Sequence, residues 1–201
     1  FVCGNHENYD ALERYPVDDW HGGKVHCVRP HVLHLTRGQI FELEGCRFFT
    51  MGGAKSHDIE DGILEPDAPD FEQRLMTLRR KPRARYRVNH ISWWAQELPS
   101  DEEYAEARRN LDAVSWAVDY IITHEPPASL KDCLGVDVQQ RLEIHTFFED
   151  IIKQCQYRKW FFGKCHMDRF IPMKFYAMFE DVLPVESENR RRSRKQAPPE
   201  E

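Results

Sequence analysis

Short apolar runs rich in β-branched, aromatic and aliphatic residues dominate the first quarter of the chain, separated by Pro30, Gly38 and Gly45. This spacing predicts strands joined by hairpin-like turns. The four runs cover residues 25–28, 31–35, 39–43 and 47–51. Later runs predict strands at 118–123 and 159–162, and a strand pair over 169–178.

Three later segments have the periodicity of amphipathic helices. Residues 71–80 carry their apolar side chains on one side. A second helix is expected after Ser100, which can form a capping box with Glu103. A third is expected over about 138–155, where an apolar stripe includes His145. We interpret that histidine as structural rather than as a ligand.

The first ten residues combine the end of a strand with a cluster of polar side chains. Phe1 and Val2 predict the end of a buried strand, and Gly4 permits a tight exit from it. Asn8 can cap a following helix. Open α/β sheets place catalytic groups at this position, between the carboxyl end of a strand and a helix. The candidate groups here are Asn5, His6 and Glu7.

Three further strand exits carry polar side chains. Gly52-Gly-Ala-Lys-Ser-His-Asp58 follows the predicted strand 47–51, and we expect its polar residues to support the same site or contact a substrate there. The alternative for this segment is a flexible surface loop. His124 follows the strand 118–123, and His166 lies in the exit of 159–162. The polar residues of the second exit are Ser56, His57 and Asp58.

Composition excludes some classes of protein and leaves others open. The chain has 201 residues, a formal net charge of -6 and 41% hydrophobic residues, as expected for one globular domain. The negative charge argues against a general nucleic-acid binder, although the basic run 79–87 is either a solvated face or a phosphate-recognition patch. No apolar run approaches the ~18 residues of a membrane span. Six scattered cysteines without a C-x-x-C pair favour reduced thiols and a cytoplasmic location.

Taken together, the four exits resemble the calcineurin-like metallophosphoesterase family, in a bacterial or phage-type branch. The motifs are Gly4-Asn-His-Glu7, Thr123-His124, Trp160-Phe-Phe-Gly-x-x-His166 and, less specifically, Gly52-Gly-Ala-Lys-Ser-His-Asp58 and Trp93-Trp-x-Gln-Glu97. The resemblance covers about residues 1–185. It implies a four-layer α/β/β/α sandwich with two mixed sheets, and hydrolysis of phosphoric esters. We expect the remaining residues, 186–201, to form a charged, disordered tail.

The resemblance also implies roles for individual residues. Two divalent metals (manganese, iron or zinc) would polarise the phosphoryl group and generate a hydroxide nucleophile. Asn5 and His124 would bind the second metal, and His166 the first. His6 would be the acid that protonates the leaving oxygen or steadies charge in the transition state.

The sequence departs from the family pattern at two places. Lys164 stands where the family has a metal-binding histidine, and a protonated ammonium does not ligate a metal. The family's Asp-x-His and Gly-Asp-x-x-Asp motifs precede Gly-Asn-His-Glu, and this sequence begins at that third motif. We therefore expect the chain to be the carboxyl-terminal portion of such a domain, with an incomplete metal site.

Three functions follow from these observations. The first is a metal-dependent phosphoesterase acting on a phosphoester substrate. The second is a non-catalytic binding or regulatory module on the same fold, with which Lys164 is consistent. The third, and weakest given the acidic balance, is a nucleic-acid-binding protein that uses the basic run. The substrate and the oligomeric state stay open, and no membrane partner is expected.

Overall fold

The computed structural model describes residues 1–135 and 142–185, which form a mixed α/β fold with three sheets. The strands are β1 (Val17–Trp20), β2 (Gly23–Arg29), β3 (Val32–Leu35), β4 (Gln39–Leu43), β5 (Cys46–Met51), β6 (Ile63–Leu64), β7 (Arg87–Val88), β8 (Tyr120–Thr123), β9 (Lys159–Phe162), β10 (Arg169–Ile171) and β11 (Phe175–Ala177). The helices are α1 (Tyr9–Leu12), α2 (Phe71–Arg80), α3 (Asp101–Ala113), α4 (Ala128–Leu134) and α5 (Glu143–Gln154).

The largest sheet has six strands in the order β10-β11-β9-β8-β5-β4. Its four inner strands run parallel, and the two edge strands are antiparallel to their neighbours. The last residues of three inner strands are aligned, because Met51 pairs with Thr123 and Thr123 pairs with Phe162. The segments that follow these strands therefore leave the sheet side by side.

Helices α3 and α5 cover one face of this sheet. Helix α5 is amphipathic because Ile144, Phe147, Phe148 and Ile151 recur on one side, and all four are fully buried. The ring of Phe148 packs edge-on against that of Trp160 on β9, with ring centroids 5.4 Å apart. This aromatic packing joins the helices to the strands that carry the exits.

A small antiparallel sheet, β1-β2-β3, lies against the opposite face at the β4 edge. Phe41 of β4 contacts Trp20 and the backbone of Gly23 there, while the neighbouring Ile40 packs into the helix-covered core. Because successive side chains of a strand point to opposite faces, the two contacts place the small sheet and the helices on opposite sides. A third sheet pairs β6 with β7 in parallel.

The amino terminus differs from its prediction. Phe1 is 48% exposed and does not end a buried strand of the large sheet. Its backbone instead lies beside β3, donating to Leu33 O and accepting from Leu35 N, each at 2.8 Å. Strand β1 was not predicted because its sequence, Val-Asp-Asp-Trp, lacks apolar alternation and forms an edge with little burial.

Most other elements were predicted correctly. Asn8 caps α1 by accepting from the Ala11 amide, and Ser100 and Glu103 form the expected capping box on α3. The helix predicted over about 138–155 is described from Glu143, as α5, because residues 138–141 fall outside the described part of the chain. The predicted charged tail, residues 186–201, also falls outside it. Helix α4 was not predicted. In the described ranges, no helix has the length and apolarity needed to cross a membrane.

We expect Phe147→Ala to lower the free energy of unfolding by about 3–5 kcal/mol, because it leaves a cavity among fully buried aromatic rings. Met76→Ala on α2 is the control, since this side chain is 55% exposed and its loss leaves no cavity. Urea unfolding followed by tryptophan fluorescence measures both. A loss below 1 kcal/mol for Phe147→Ala would contradict the packing described above.

Candidate functional site

Three of the four segments that were predicted to be strand exits meet around the imidazole of His124. This residue follows β8 directly, and its ring lies between the backbones of Gly4 and Gly163. A Cβ on Gly4 would lie 2.9 Å from His124 Cε1, and one on Gly163 would lie 3.1 Å from Nδ1. A Cβ at position 4 would force the ring to move and one at position 163 would crowd it, so the Gly-Asn-His-Glu and Gly-Lys-Cys-His segments both touch the same histidine.

The fourth exit, residues 52–58, joins this group through Ser56. Asn5 Nδ2 donates to Ser56 Oγ at 3.3 Å, and Ser56 Oγ donates to Glu97 Oε2 at 2.7 Å. The Ser56 amide also donates to Glu97 Oε1 at 2.9 Å. Glu97 is only 3% exposed and lies in a single 3-10 turn, 95–97. Ser56 therefore supports Asn5 from within the protein, and the segment is not a free surface loop at this point.

His6 lies between two hydrogen-bond donors. Arg87 Nη2 is 3.3 Å from His6 Nδ1, and Asn5 Nδ2 is 3.4 Å from His6 Nε2. A neutral imidazole accepts at only one nitrogen, so at most one of these contacts is a hydrogen bond. Partial burial, followed by the positive charge of Arg87, lowers the pKa of His6. The neutral form of this ring is therefore favoured.

Arg87 is held in place by Asp58. Its Nε and Nη2 donate to Asp58 Oδ2 at 3.0 and 2.5 Å, and its Nη1 donates to the carbonyl of Ser92 at 3.1 Å. Burial alone would raise the pKa of the Asp58 carboxyl, but the hydrogen bonds and charge of Arg87 lower it. Asp58 is thus an ionised partner that positions a guanidinium beside His6.

Lys164 brings a second cation to the same edge. Its Nζ donates to the carbonyl oxygen of Lys55 at 2.8 Å, which links the exit of β9 to that of β5. Burial lowers the pKa of Lys164 itself. Burial and then the Lys164 charge lower the pKa of His124 to about 4, so this imidazole is neutral at pH 7.

The remaining predicted site residues lie nearer the rim. His166 is exposed and stacks on Phe179, with ring centroids 5.3 Å apart, although its charge still affects His124. His57 is exposed. Glu7 Oε1 accepts from the amide of Gly4 at 3.1 Å and so stabilises its own turn. The structure therefore brings Asn5 and His6 close to His124 but leaves His166 outside the hydrogen-bonded group.

A buried charged cluster lies directly behind His124. Glu125 is 2% exposed, and its Oε1 accepts from His145 Nε2 at 2.9 Å and from the Lys131 ammonium. His145 Nδ1 accepts from the amide of Leu142, which assigns the proton to Nε2. The structural interpretation of His145 agrees with these contacts, because the ring joins α5 to the turn after β8.

The residues present do not fit a pair of divalent metals. In the described part of the chain, no three histidine, cysteine, aspartate or glutamate side chains are grouped so that they could hold an ion. Two-metal sites with ions ~3.5–4 Å apart need ligands that reach both. Here four carboxylates of the site hold other residues, although Asp58 Oδ1 and Glu125 Oε2 have no hydrogen-bond partner among the described residues. The four carboxylates are Glu7, Asp58, Glu97 and Glu125.

Comparisons of the chain with protein-family models, curated proteins and solved structures found no match. The candidate site is thus defined by its own geometry.

Sequence reasoning assigned no role to two residues of this site. Glu97 ends the Trp93-Trp-x-Gln-Glu97 segment that contributed to the resemblance, but its bonds to Ser56 depend on a turn that packs against residues 52–58. Arg87 belongs to the basic run 79–87, for which a phosphate-recognition patch was one interpretation. In that run Arg79, Arg80, Arg83 and Arg85 are exposed, and only Arg87 reaches the site, because β7 pairs with β6 and directs it there.

We expect Lys164→Gln to raise the pKa of His124 from about 4 toward its ordinary 6.5, because a nearby positive charge is removed. Between pH 6.5 and pH 4 the unfolded chain binds a proton at His124 more readily than the folded chain does, so the free energy of unfolding falls as the pH decreases through this range. The variant should lose less of that free energy, because its folded-state pKa lies closer to 6.5. Imidazole NMR titration measures the pKa. The control is Lys153→Gln, an exposed lysine on α5. An unchanged His124 pKa would contradict the assigned proximity.

Proposed function

We propose that this chain recognises phosphoric esters at the carboxyl edge of its large sheet, as a domain related to the calcineurin-like metallophosphoesterases. One observation carries the proposal: Arg87 Nη2 lies 3.3 Å from His6 Nδ1, and after burial the charges of Arg87 and Lys164 both lower the pKa of His6, against the opposing charge of Asp58. Two cations at one edge of a protein with net charge -6 are suited to an anion.

The donors at this edge match a tetrahedral anion. Arg87 has one Nη1 N–H beyond its contacts with Asp58, Ser92 and His6, and lysine binds phosphate as a point charge. The neutral imidazole of His124 can donate one further hydrogen bond without adding charge. A bound anion would offset the repulsion that now lowers the pKa values of both histidines.

The fold supports the proposed relationship. The large mixed sheet has α3 and α5 on one face and the small sheet on the other, which corresponds to helix, sheet and sheet layers of a four-layer α/β/β/α sandwich. The order of the exits along the chain, and their convergence on His124, agrees with the motifs that carried the resemblance.

Hydrolysis of the ester is a second candidate. It is favoured by His6, which is exposed, neutral and adjacent to Asn5, where the resemblance expects the group that acts on the leaving oxygen. The expected metals were manganese, iron or zinc, and the described residues do not fit them. Recognition without turnover is therefore the function that the geometry of this chain supports best.

We expect Arg87→Gln to weaken binding of phenyl phosphate by about 10–100-fold, since a charge-assisted hydrogen bond contributes roughly 1.5–3 kcal/mol. Titration calorimetry measures the affinity. Arg85→Gln is the matched control, because that side chain pairs with the exposed Glu60 away from the site. Equal affinities for the two variants, with both folded by circular dichroism, would argue against the proposed anion site.

The Lys164→His variant separates recognition from hydrolysis. We expect no gain in hydrolysis of p-nitrophenyl phosphate in the presence of Mn²⁺, because the described part of the chain assembles no group of three possible metal ligands, and Asp58 and Glu125 each keep one oxygen bonded to another residue. Release of p-nitrophenolate is the measurement. A gain in turnover of tenfold or more would favour the hydrolase and reject the binding module.

A further inference from the structure

We propose that the ammonium of Lys164 takes the place of a metal ion in this site, so that a phosphate group binds here without any divalent cation. This inference rests on the proposed recognition of phosphoric esters and adds how the anion is held.

The backbone and side chain of Lys164 fix the position of the ammonium. The residue lies immediately after Gly163 at the end of β9, and its φ of +66° is in the left-handed region, which a lysine rarely adopts. Its Nζ then reaches across to the carbonyl oxygen of Lys55, at 2.8 Å, in the neighbouring exit. The cation therefore spans two strand exits instead of extending into solvent.

Lys164 has no carboxylate partner within ion-pair distance among the described residues. The acids that affect it most are Glu97, which is bonded to Ser56, and Glu125, whose Oε1 accepts from other residues while its Oε2 has no hydrogen-bond partner in the described ranges. Glu125 accepts from His145 and Lys131, and Glu97 accepts from Ser56. A half-buried cation without a counter-ion is costly, and an anionic ligand would offset that cost.

The ammonium also has donors to spare. One of its three N–H groups is used by the Lys55 carbonyl, and the other two make no further hydrogen bond in the described part of the chain. The adjacent ring of His124 is neutral and adds a hydrogen-bonding nitrogen. These groups suit a phosphate oxygen, whereas the positive charge opposes entry of a metal cation.

Calorimetric titration of the full chain with inorganic phosphate and with phenyl phosphate, in EDTA and again in Mn²⁺, tests this inference. For the unmodified chain we expect affinities that agree within about twofold in the two buffers. We expect Lys164→Gln to weaken binding in EDTA at least tenfold, as loss of one charge-assisted contact implies. Lys153→Gln removes the same charge from an exposed position on α5 and should bind like the unmodified chain.

The outcomes separate this inference from the proposed function. Binding that requires Mn²⁺ would overturn the metal-free inference and leave phosphoester recognition standing. No binding in either buffer would overturn both. Full affinity of a folded Lys164→Gln in EDTA would overturn the role of the ammonium. If that variant fails to fold, as judged by thermal melting, the two buffers compared on the unmodified chain still decide whether a metal is needed.

Discussion

Parallel pairing of β5, β8 and β9 is the constraint on which the candidate site depends. Because Met51, Thr123 and Phe162 lie in one row across the sheet, the residues that follow them must emerge together. Gly163 is brought into contact with the His124 imidazole in this way, and the Gly4 segment, which belongs to no strand of this sheet, packs against the same ring. The buried aromatic packing of α5 against β9 holds the row in place.

Close packing at this edge leaves no room for side chains where the backbones meet. Gly4 and Gly163 bracket His124, and β-carbon atoms at either position would press on its ring. The cluster of Glu125, His145 and Lys131 then supports the turn from behind, so that His124 is positioned by contacts on several sides. A site positioned in this manner is preorganised for a ligand, because little reordering is needed when one binds.

The carboxylates and the ammonium of Lys164 differ in how they are paired within the site. Carboxylates near the edge are used to hold structure: Asp58 orients Arg87, Glu97 holds Ser56, and Glu125 joins two helices. Lys164, by contrast, has no acidic partner among the described residues. Burial, followed by the charge of Arg87 for His6 and of Lys164 for His124, lowers the pKa values of these two histidines. The proposed anion site depends on this arrangement of cations.

The sequence by itself determined the local elements and the order of the exits. Apolar runs located β4, β5 and β9, and the Ser100–Glu103 capping box located the start of α3, because these signals depend on neighbouring residues alone. Tertiary structure decided which polar residues meet. It gave Arg87 and Glu97 their roles and placed Phe1 beside β3, since each depends on contacts with distant segments that no local pattern encodes.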